Sequence, residues 1–250
     1  MSTLATVRTH CNRCEAEMTT EVAQVLNFDR RPDLRDQILA GELNRVVCGS
    51  CGHRAVIQRT VATFDFGRRS WIYCYPDWAE VHWKDLAAAT QRAFDRTMRT
   101  SAPRSLVAMA GEFTVRVVFG YDALREQLLL QDHALDPRQV EYAKLHLLAG
   151  DPARSNARLL LWQADDTSLT WLSLGADKAQ TRTTPRALLA LPSPNTVPVH
   201  ELGLDPFFSF RRWTVRPRPA DPLAFDLKGS AYAHAGGAVL RRPFDDPGPL

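Results

Sequence analysis

The chain has 250 residues, enough for one large domain or two small ones. Hydrophobic residues make up 45% and charged residues 24%, which are ordinary values for a globular protein. The absence of any apolar run of about 18 residues predicts that no transmembrane helix is present, and the net charge of +3 is too small to demand a nucleic-acid partner.

The first third of the chain predicts short strands around one short helix. Residues 7–10, 17–28 and 44–47 have the apolar spacing of strands. Between them, Pro32 and Asp33 are typical of the first turn of a helix, and Gly41 stands where a glycine commonly ends one.

The middle of the chain alternates predicted strands and helices. Residues 54–64 and 70–75 are predicted strands joined by a turn at 65–68, and residues 85–100 a helix. Residues 113–119 alternate apolar and polar side chains, which indicates a strand. Helices are predicted to begin at Tyr121, after Gly120, and at Asp136, where an acid precedes a proline.

The last third begins with a predicted β-hairpin, residues 159–163 and 169–174 around a polar turn. Prolines recur from 184 to 206, which predicts a linker or an irregular coat, and residues 207–215 are a predicted late strand. We therefore expect a domain at 5–148, a β-rich C-terminal segment at 151–220 and a flexible tail at 221–250.

Four cysteines in two pairs carry the strongest chemical signal of the chain. Cys11 and Cys14 form one C-x-x-C pair, and Cys48 and Cys51 form the other. Two such pairs supply the tetrahedral thiolate shell that Zn²⁺ prefers, and four protein ligands leave no position for water or substrate. We therefore predict one structural zinc ion at Cys11, Cys14, Cys48 and Cys51.

Other interpretations of the cysteines are weighed against zinc. A redox C-x-x-C pair normally opens a helix beside a βαβ pattern, and neither pair does so. Disulfides are disfavoured because the first ten residues carry Arg8 and lack an apolar secretory core. The 33 residues between the pairs exceed the usual zinc-ribbon spacer of roughly 15–20, so a folded insert must fill the gap. Four cysteines suffice as ligands without His10 or His53.

The turns that carry the cysteines differ in their sequences. Gly49 and Gly52 free the backbone of the second turn, and we expect a positive φ at Gly52. The first turn lacks glycine and has Asn12, which tolerates turn conformations. The fifth cysteine, Cys74, lies within an apolar predicted strand and is expected to be a small buried hydrophobe.

The chain resembles the CpXC domain, a bacterial domain named for two Cys-Pro-x-Cys motifs. The resemblance covers roughly residues 5–148 in three blocks, which are the first cysteine pair with residues 32–44, the second pair with Gly52, and residues 116–141. Asn12 and Gly49 replace the family's two prolines, which are not ligands. The resemblance implies a bacterial protein with a zinc site, and it implies no activity, because the function of the family is unknown.

Together these patterns predict a cytoplasmic α+β protein. A four-cysteine zinc-ribbon-like β module with a helical insert is extended by a second β-rich segment with helices. We expect a non-catalytic adaptor that binds another protein and no membrane. An enzyme is disfavoured because no nucleophile elbow, P-loop or dinucleotide glycine pattern is present.

Nucleic-acid binding is the alternative. A basic segment around one tryptophan could contact phosphates and stack a base; the competing interpretation, which the small net charge favours, is a solvated edge strand whose arginines prevent pairing with another strand. Its residues are Arg211, Arg212, Trp213, Arg216 and Arg218.

Overall fold

A computed structural model of the protein describes residues 2–149, 158–174 and 179–190. In chain order the strands and α-helices are β1 (Thr3–His10), β2 (Glu17–Asn27), α1 (Pro32–Leu39), β3 (Arg45–Val47), β4 (Arg54–Val56), β5 (Val61–Asp65), β6 (Ser70–Tyr75), α2 (Trp83–Asp95), α3 (Arg104–Met109), β7 (Thr114–Phe119), α4 (Tyr121–Asp132), α5 (Pro137–Ala149), β8 (Arg158–Ala164), β9 (Ser168–Leu174) and β10 (Ala179–Pro185). The α+β prediction is therefore confirmed.

The strands of the described ranges form three sheets. The largest has the order β1-β2-β5-β6-β7, in which β2 and β5 are parallel, β6 and β7 are parallel, and the other neighbours are antiparallel. Strands β3 and β4 form a separate antiparallel hairpin, and β8, β9 and β10 form an antiparallel sheet with β9 in the centre.

The large sheet is covered on both faces, because alternate residues of each strand point to opposite sides. One face packs Ile72 and Cys74 of β6 against Leu124 and Leu128 of α4, together with the buried face of α1. The other face is aromatic and packs Trp71 of β6 against Phe94 of α2. The sheet thus forms the centre of a three-layer unit.

The turn from β7 into α4 requires glycine. Gly120 has φ 82°, and a Cβ atom there would clash with Oδ1 of Asp77. That carboxylate receives a hydrogen bond from the guanidinium of Arg158 at 2.7 Å, and Arg158 also donates to the carbonyl of Phe119. A larger side chain at position 120 would therefore displace the ion pair that joins β8 to this turn.

The C-terminal sheet shares its core with α4 and α5. Trp171 of β9 is fully buried there, and its indole N–H donates to the hydroxyl of Thr184 at 2.8 Å. Beside this core, Lys144 of α5 is buried and donates to Glu126 at 2.7 Å and to Glu141 at 2.6 Å. The segment predicted as β-rich is therefore joined to these helices by apolar contacts and by a hydrogen bond from the amide of Leu161 in β8 to Glu126, a member of the buried ion triad.

Several sequence predictions agree with the elements observed. The helix at Pro32 is confirmed, and Gly41 follows its last turn with φ 72°. The strand of alternating residues is β7, the helix predicted from Tyr121 is α4, and the hairpin of β8 and β9 is present. None of the helices in the described ranges combines the length and apolar character needed to span a membrane.

Other predictions were wrong or incomplete. The single strand predicted at 54–64 is divided into β4 and β5, which belong to different sheets. The helix predicted at 85–100 ends its α-helical part at Asp95 and continues as a wider π-helical turn at Arg96–Thr100. Helix α3 and strand β10 were not predicted. The predicted strand at 207–215 and tail at 221–250 lie outside the described residues.

Candidate metal centre

The four cysteines lie on two turns that face each other. The first knuckle, residues 11–15, follows β1 and precedes β2, and the second knuckle, residues 48–52, joins β3 to β4. The folded insert expected between the knuckles is β2, α1 and β3. Because α1 brings the chain back toward the β1–β2 hairpin, the long spacer does not separate the two cysteine pairs.

The two knuckles have the same backbone hydrogen bonds. In the first, the amide of Glu15 donates to the carbonyl of Cys11 at 2.8 Å, and the amide of Cys11 donates to Ala16 at 2.9 Å. In the second, the amide of Gly52 donates to Cys48 at 2.9 Å, and the amide of Cys48 donates to His53 at 2.8 Å. Each pair of cysteines is therefore held in an equivalent turn.

The residue after the second cysteine of each pair has a left-handed backbone. Gly52 has φ 68°, as predicted, and Glu15 has φ 59°. The special backbone position of the first knuckle is therefore Glu15 and not Asn12. A left-handed conformation is uncommon for a residue with a side chain, so the only signal for it in the sequence is the alignment of Glu15 with Gly52.

The sulfur atoms form one compact group. Sγ of Cys11 lies 3.6 Å from Sγ of Cys51, Sγ of Cys14 lies 3.6 Å from Sγ of Cys48, and all four lie within 4.8 Å of one another. A tetrahedral ion with metal–sulfur distances of about 2.3 Å places its ligands about 3.8 Å apart. The observed distances fit such a shell and are far longer than the roughly 2.05 Å of a disulfide bond.

The electrostatics of the group favour a cation. Backbone N–H groups of Cys51 and Ser50 lower the pKa of the Cys48 thiol to about 6, and the backbone N–H of Arg13 lowers the pKa of Cys11. At Cys14 the backbone N–H of Ala16 also lowers the pKa, but the neighbouring thiol of Cys51, burial and the thiol of Cys48 together raise it to about 12. Four sulfurs in contact cannot all ionise unless a positive charge lies among them.

Exposure differs between the members of the group. Cys11 and Cys48 are each only 2% exposed, whereas Cys51 is half-buried and Cys14 is exposed. The group of possible ligands in the described residues includes neither His10 nor His53. The site therefore has one inner and one outer cysteine in each knuckle, and its donor set is purely thiolate.

The fifth cysteine lies elsewhere. Cys74 is fully buried in β6, and burial raises the pKa of its thiol well above the usual value. It packs in the core between the large sheet and α4, in agreement with the prediction of a small buried hydrophobe.

Two acidic residues that could be considered for catalysis have structural partners. Asp132 pairs with Arg35 at 2.5 Å and with Arg68 at 3.3 Å. Asp165 accepts hydrogen bonds from the backbone and hydroxyl groups of Thr167 and Ser168 and so caps the β8–β9 turn. The residues of the predicted basic segment, Arg211, Arg212, Trp213, Arg216 and Arg218, lie outside the described residues.

The family comparison agrees with this centre. A family model described as CpXC protein matches residues 9–144, more than half of the chain and a range that contains all four cysteines, and the protein belongs to this family. No curated protein and no solved structure matches the chain. The family and the sulfur cluster together indicate that the protein can bind a metal ion.

Proposed function

We propose that this CpXC protein binds one structural Zn²⁺ through Cys11, Cys14, Cys48 and Cys51 and acts as a non-catalytic protein-binding module. The observation that carries the metal part is the group of four sulfurs within 4.8 Å of one another. Zinc with four thiolates is a closed site that contributes folding free energy, of the order of 10–16 kcal/mol in zinc-finger peptides.

The protein-binding part is supported by the outer face of the β3–β4 hairpin. Val46 and Ala55 face the β1–β2 hairpin, so their neighbours Arg45, Val47, Arg54 and Val56 point away from it. Val47 is 58% exposed and Val56 is 40% exposed. This outer face combines two apolar and two basic side chains, a composition suited to a partner surface that is apolar with acidic groups.

The hairpin is well suited to present such a face. A two-stranded hairpin is marginally stable by itself, and its turn is the second knuckle. A zinc ion that fixes the knuckle also fixes the positions of the valines on either side of it. The proposed metal therefore acts by holding a recognition surface in shape.

The metal is tested by elemental analysis of protein purified without added metal, followed by replacement with Co²⁺. We expect about one zinc per chain and, with cobalt, the absorption spectrum of a tetrahedral thiolate site. An iron–sulfur spectrum, or four cysteines recovered as two disulfides in metal-free protein, contradicts the proposal.

The partner surface is tested by placing a photo-crosslinking amino acid at Val47 in the native host and identifying the crosslinked protein by mass spectrometry. The matched control is Val107, an exposed valine on α3 that is 42% exposed. We expect one protein to be crosslinked from position 47 and not from position 107, and Arg54→Glu to weaken its binding in a purified pair.

Nucleic-acid binding predicts a different outcome from the same material. If the basic side chains contact phosphates, affinity for DNA or RNA falls steeply with salt. Gel-shift titrations at several salt concentrations therefore distinguish the two functions. Tight binding at physiological salt that disappears when Arg211, Arg212, Arg216 and Arg218 are neutralised contradicts the adaptor function.

A further inference from the structure

We infer that Asn44 and Tyr121 are positioning residues of the metal centre, and that metal binding is energetically coupled to helix α4 through their hydrogen bonds. This inference rests on the metal binding proposed above. It concerns two side chains outside the sulfur group, to which the sequence analysis assigned no role at the metal centre.

Asn44 connects the β3–β4 hairpin to the large sheet. It directly precedes β3, is buried, and has a left-handed backbone with φ 53°. Its side-chain carbonyl accepts a hydrogen bond from the amide of Ala23 at 2.7 Å, and its amide group donates to the carbonyl of Ala23 at 3.5 Å. Strand β2 pairs with β5 only from Val25 onward. At Ala23, where β5 does not reach, the carboxamide of Asn44 makes the hydrogen bonds that a neighbouring strand would otherwise make.

Tyr121 connects the same hairpin to α4. Its hydroxyl group accepts hydrogen bonds from the side-chain amide of Asn44 at 2.7 Å and from the backbone amide of Arg59 at 3.0 Å. Its own proton is within reach of the carbonyl of Ile57 at 3.0 Å. One hydroxyl on the first turn of α4 therefore joins the chain just before β3 to the chain just after β4.

The base of the hairpin is closed by the same residues. The amide of Ile57 donates to the carbonyl of Asn44 at 3.0 Å. The hairpin therefore has two fixed ends, which are the knuckle that carries Cys48 and Cys51 and the base that Asn44 and Tyr121 hold. Between them, only Val46 and Ala55 face the small apolar cluster shared with the β1–β2 hairpin.

This arrangement links affinity for metal to the base of the hairpin. Structural zinc sites rarely exist before folding, so metal affinity includes the free energy of folding the segment that carries the ligands. A hydrogen bond formed only when the hairpin is folded then increases the apparent metal affinity. The hydrogen bonds of Tyr121 to Asn44, Ile57 and Arg59 form only when the hairpin is folded. A hydrogen bond between elements other than the hairpin affects the free energy of unfolding but not the metal affinity.

Tyr75 provides the matched control. Its hydroxyl group bonds to the hydroxyl of Thr90 at 3.0 Å, which joins β6 to α2 away from the hairpin. Tyr121→Phe and Tyr75→Phe therefore remove the same chemical group from a tyrosine with hydrogen-bond partners. Only the first removes a bond between the body of the protein and the hairpin.

The experiment is a competition titration of the full chain with a zinc chelator. We expect Tyr121→Phe to lower the zinc affinity about tenfold, because it leaves polar groups around it without a partner, and Tyr75→Phe to leave the affinity within about twofold. Asn44→Gly keeps the left-handed backbone and removes the carboxamide, so it should also lower the affinity. The two changes together should lower it by less than the product of their separate effects, because they remove a shared bond.

A measurement on the unaltered protein completes the test. Removing the metal should increase hydrogen exchange at the amides of Ala23 and Arg59, which Asn44 and Tyr121 protect, and leave exchange in β8 and β9 unchanged. Equal zinc affinities in the two tyrosine variants, or no change in exchange at these amides, overturns the inference while the metal site stands. A wild-type chain that binds no zinc overturns the metal site itself.

Discussion

The cysteine ribbon, formed by the β3–β4 hairpin and the knuckle-bearing half of the β1–β2 hairpin, contrasts with the C-terminal sheet of β8, β9 and β10. Within the described residues, the apolar cluster of the ribbon has three buried members, Val22, Val46 and Ile57. The cluster shared by the C-terminal sheet and its helices has ten among the residues that the structure describes, including the fully buried Trp171 and Leu169. Two small β units of one chain are therefore stabilised in different ways.

The difference shows what the sulfur group contributes. A small β unit buries too little apolar surface to balance the entropy lost on folding, and small domains usually add disulfides or metals for this reason. The C-terminal sheet has no need of either, because helices α4 and α5 supply the second half of its core. In the described residues the ribbon has no helix of its own, and we propose that the metal ion bound by its cysteines supplies the missing stabilisation.

The largest effect should come from a ligand of the ribbon. Replacing Cys48 with serine removes an inner sulfur, so we expect loss of the metal and unfolding of the β3–β4 hairpin, while β8, β9 and β10 stay folded. Elemental analysis and hydrogen exchange measured on each region check both parts. Retention of one metal per chain by Cys48→Ser contradicts the assignment of this cysteine.

The control for that variant is Cys74→Ser, which introduces a hydroxyl into the core beside α4. A buried hydroxyl without a partner costs about 1–3 kcal/mol, and the metal content should not change. Equal loss of metal from both variants would place Cys74 in the site.

The next largest effect should come from the C-terminal core. Trp171→Ala removes a fully buried side chain and its bond to Thr184, and should lower the free energy of unfolding by about 3–5 kcal/mol. The metal affinity should stay close to that of the wild type. Denaturant unfolding and chelator titration of the same sample check this, and a parallel loss of metal would show that the two regions are not independent.

A smaller effect is expected at the buried ion triad. Burial by itself lowers the pKa of Lys144, but Glu126 and Glu141 raise it above its usual value. Lys144→Met keeps most of the volume and removes the ammonium group from beside the buried carboxylates of Glu126 and Glu141, so it should cost about 3 kcal/mol at neutral pH.

The pH dependence of this variant has a definite sign. Burial raises the pKa of Glu126 above its usual value, and the substitution removes the positive charge of Lys144 that opposes this shift. The folded state of the variant therefore binds a proton at Glu126 more readily than the unfolded state does, and stability falls as pH rises. The difference in unfolding free energy between wild type and Lys144→Met should therefore shrink as the pH is lowered toward 4.5, the ordinary pKa of glutamate. A difference that stays constant with pH contradicts the triad as the cause.

The smallest effect is expected at the turn of the C-terminal hairpin. Hydrogen bonds from Ser168 and Thr167 hold the pKa of Asp165 well below its usual value of 3.8. The stabilisation is therefore present above pH 3.8 and is lost as the pH falls below it. Asp165→Asn should lower the melting temperature by no more than a few degrees at neutral pH, and the two proteins should converge in acid when thermal unfolding is compared across pH.

The local patterns of the sequence predicted much of the fold. Pro32 and Gly41 marked α1, alternation marked β7, and a polar turn marked the β8–β9 hairpin, because these signals act over a few neighbouring residues. The cysteine spacing likewise indicated the sulfur group. The split of the predicted strand at 54–64 was missed because it depends on Tyr121, a residue distant in the sequence that binds the chain at Ile57 and Arg59.

Other features were missed for the same physical reason. Strand β10 has a mostly exposed and polar sequence and is a strand because it pairs with β9. The left-handed conformations of Glu15 and Asn44 are set by hydrogen bonds of the folded ribbon. Side chains with such roles have no local pattern that distinguishes them from ordinary surface residues.

The long spacer between the knuckles has a consequence for the order of folding. The first knuckle forms within one hairpin. Bringing the second knuckle next to it closes a chain loop that contains β2, α1 and β3. Helix α1 in that loop packs through Leu34 and Ile38 against Leu124 and Leu128 of α4. Contacts so distant in sequence form slowly. During synthesis we expect two cysteines to be available to a metal ion early, and all four only after α4 has been made. Tight metal binding would then occur only in chains whose large sheet and α4 have already packed together.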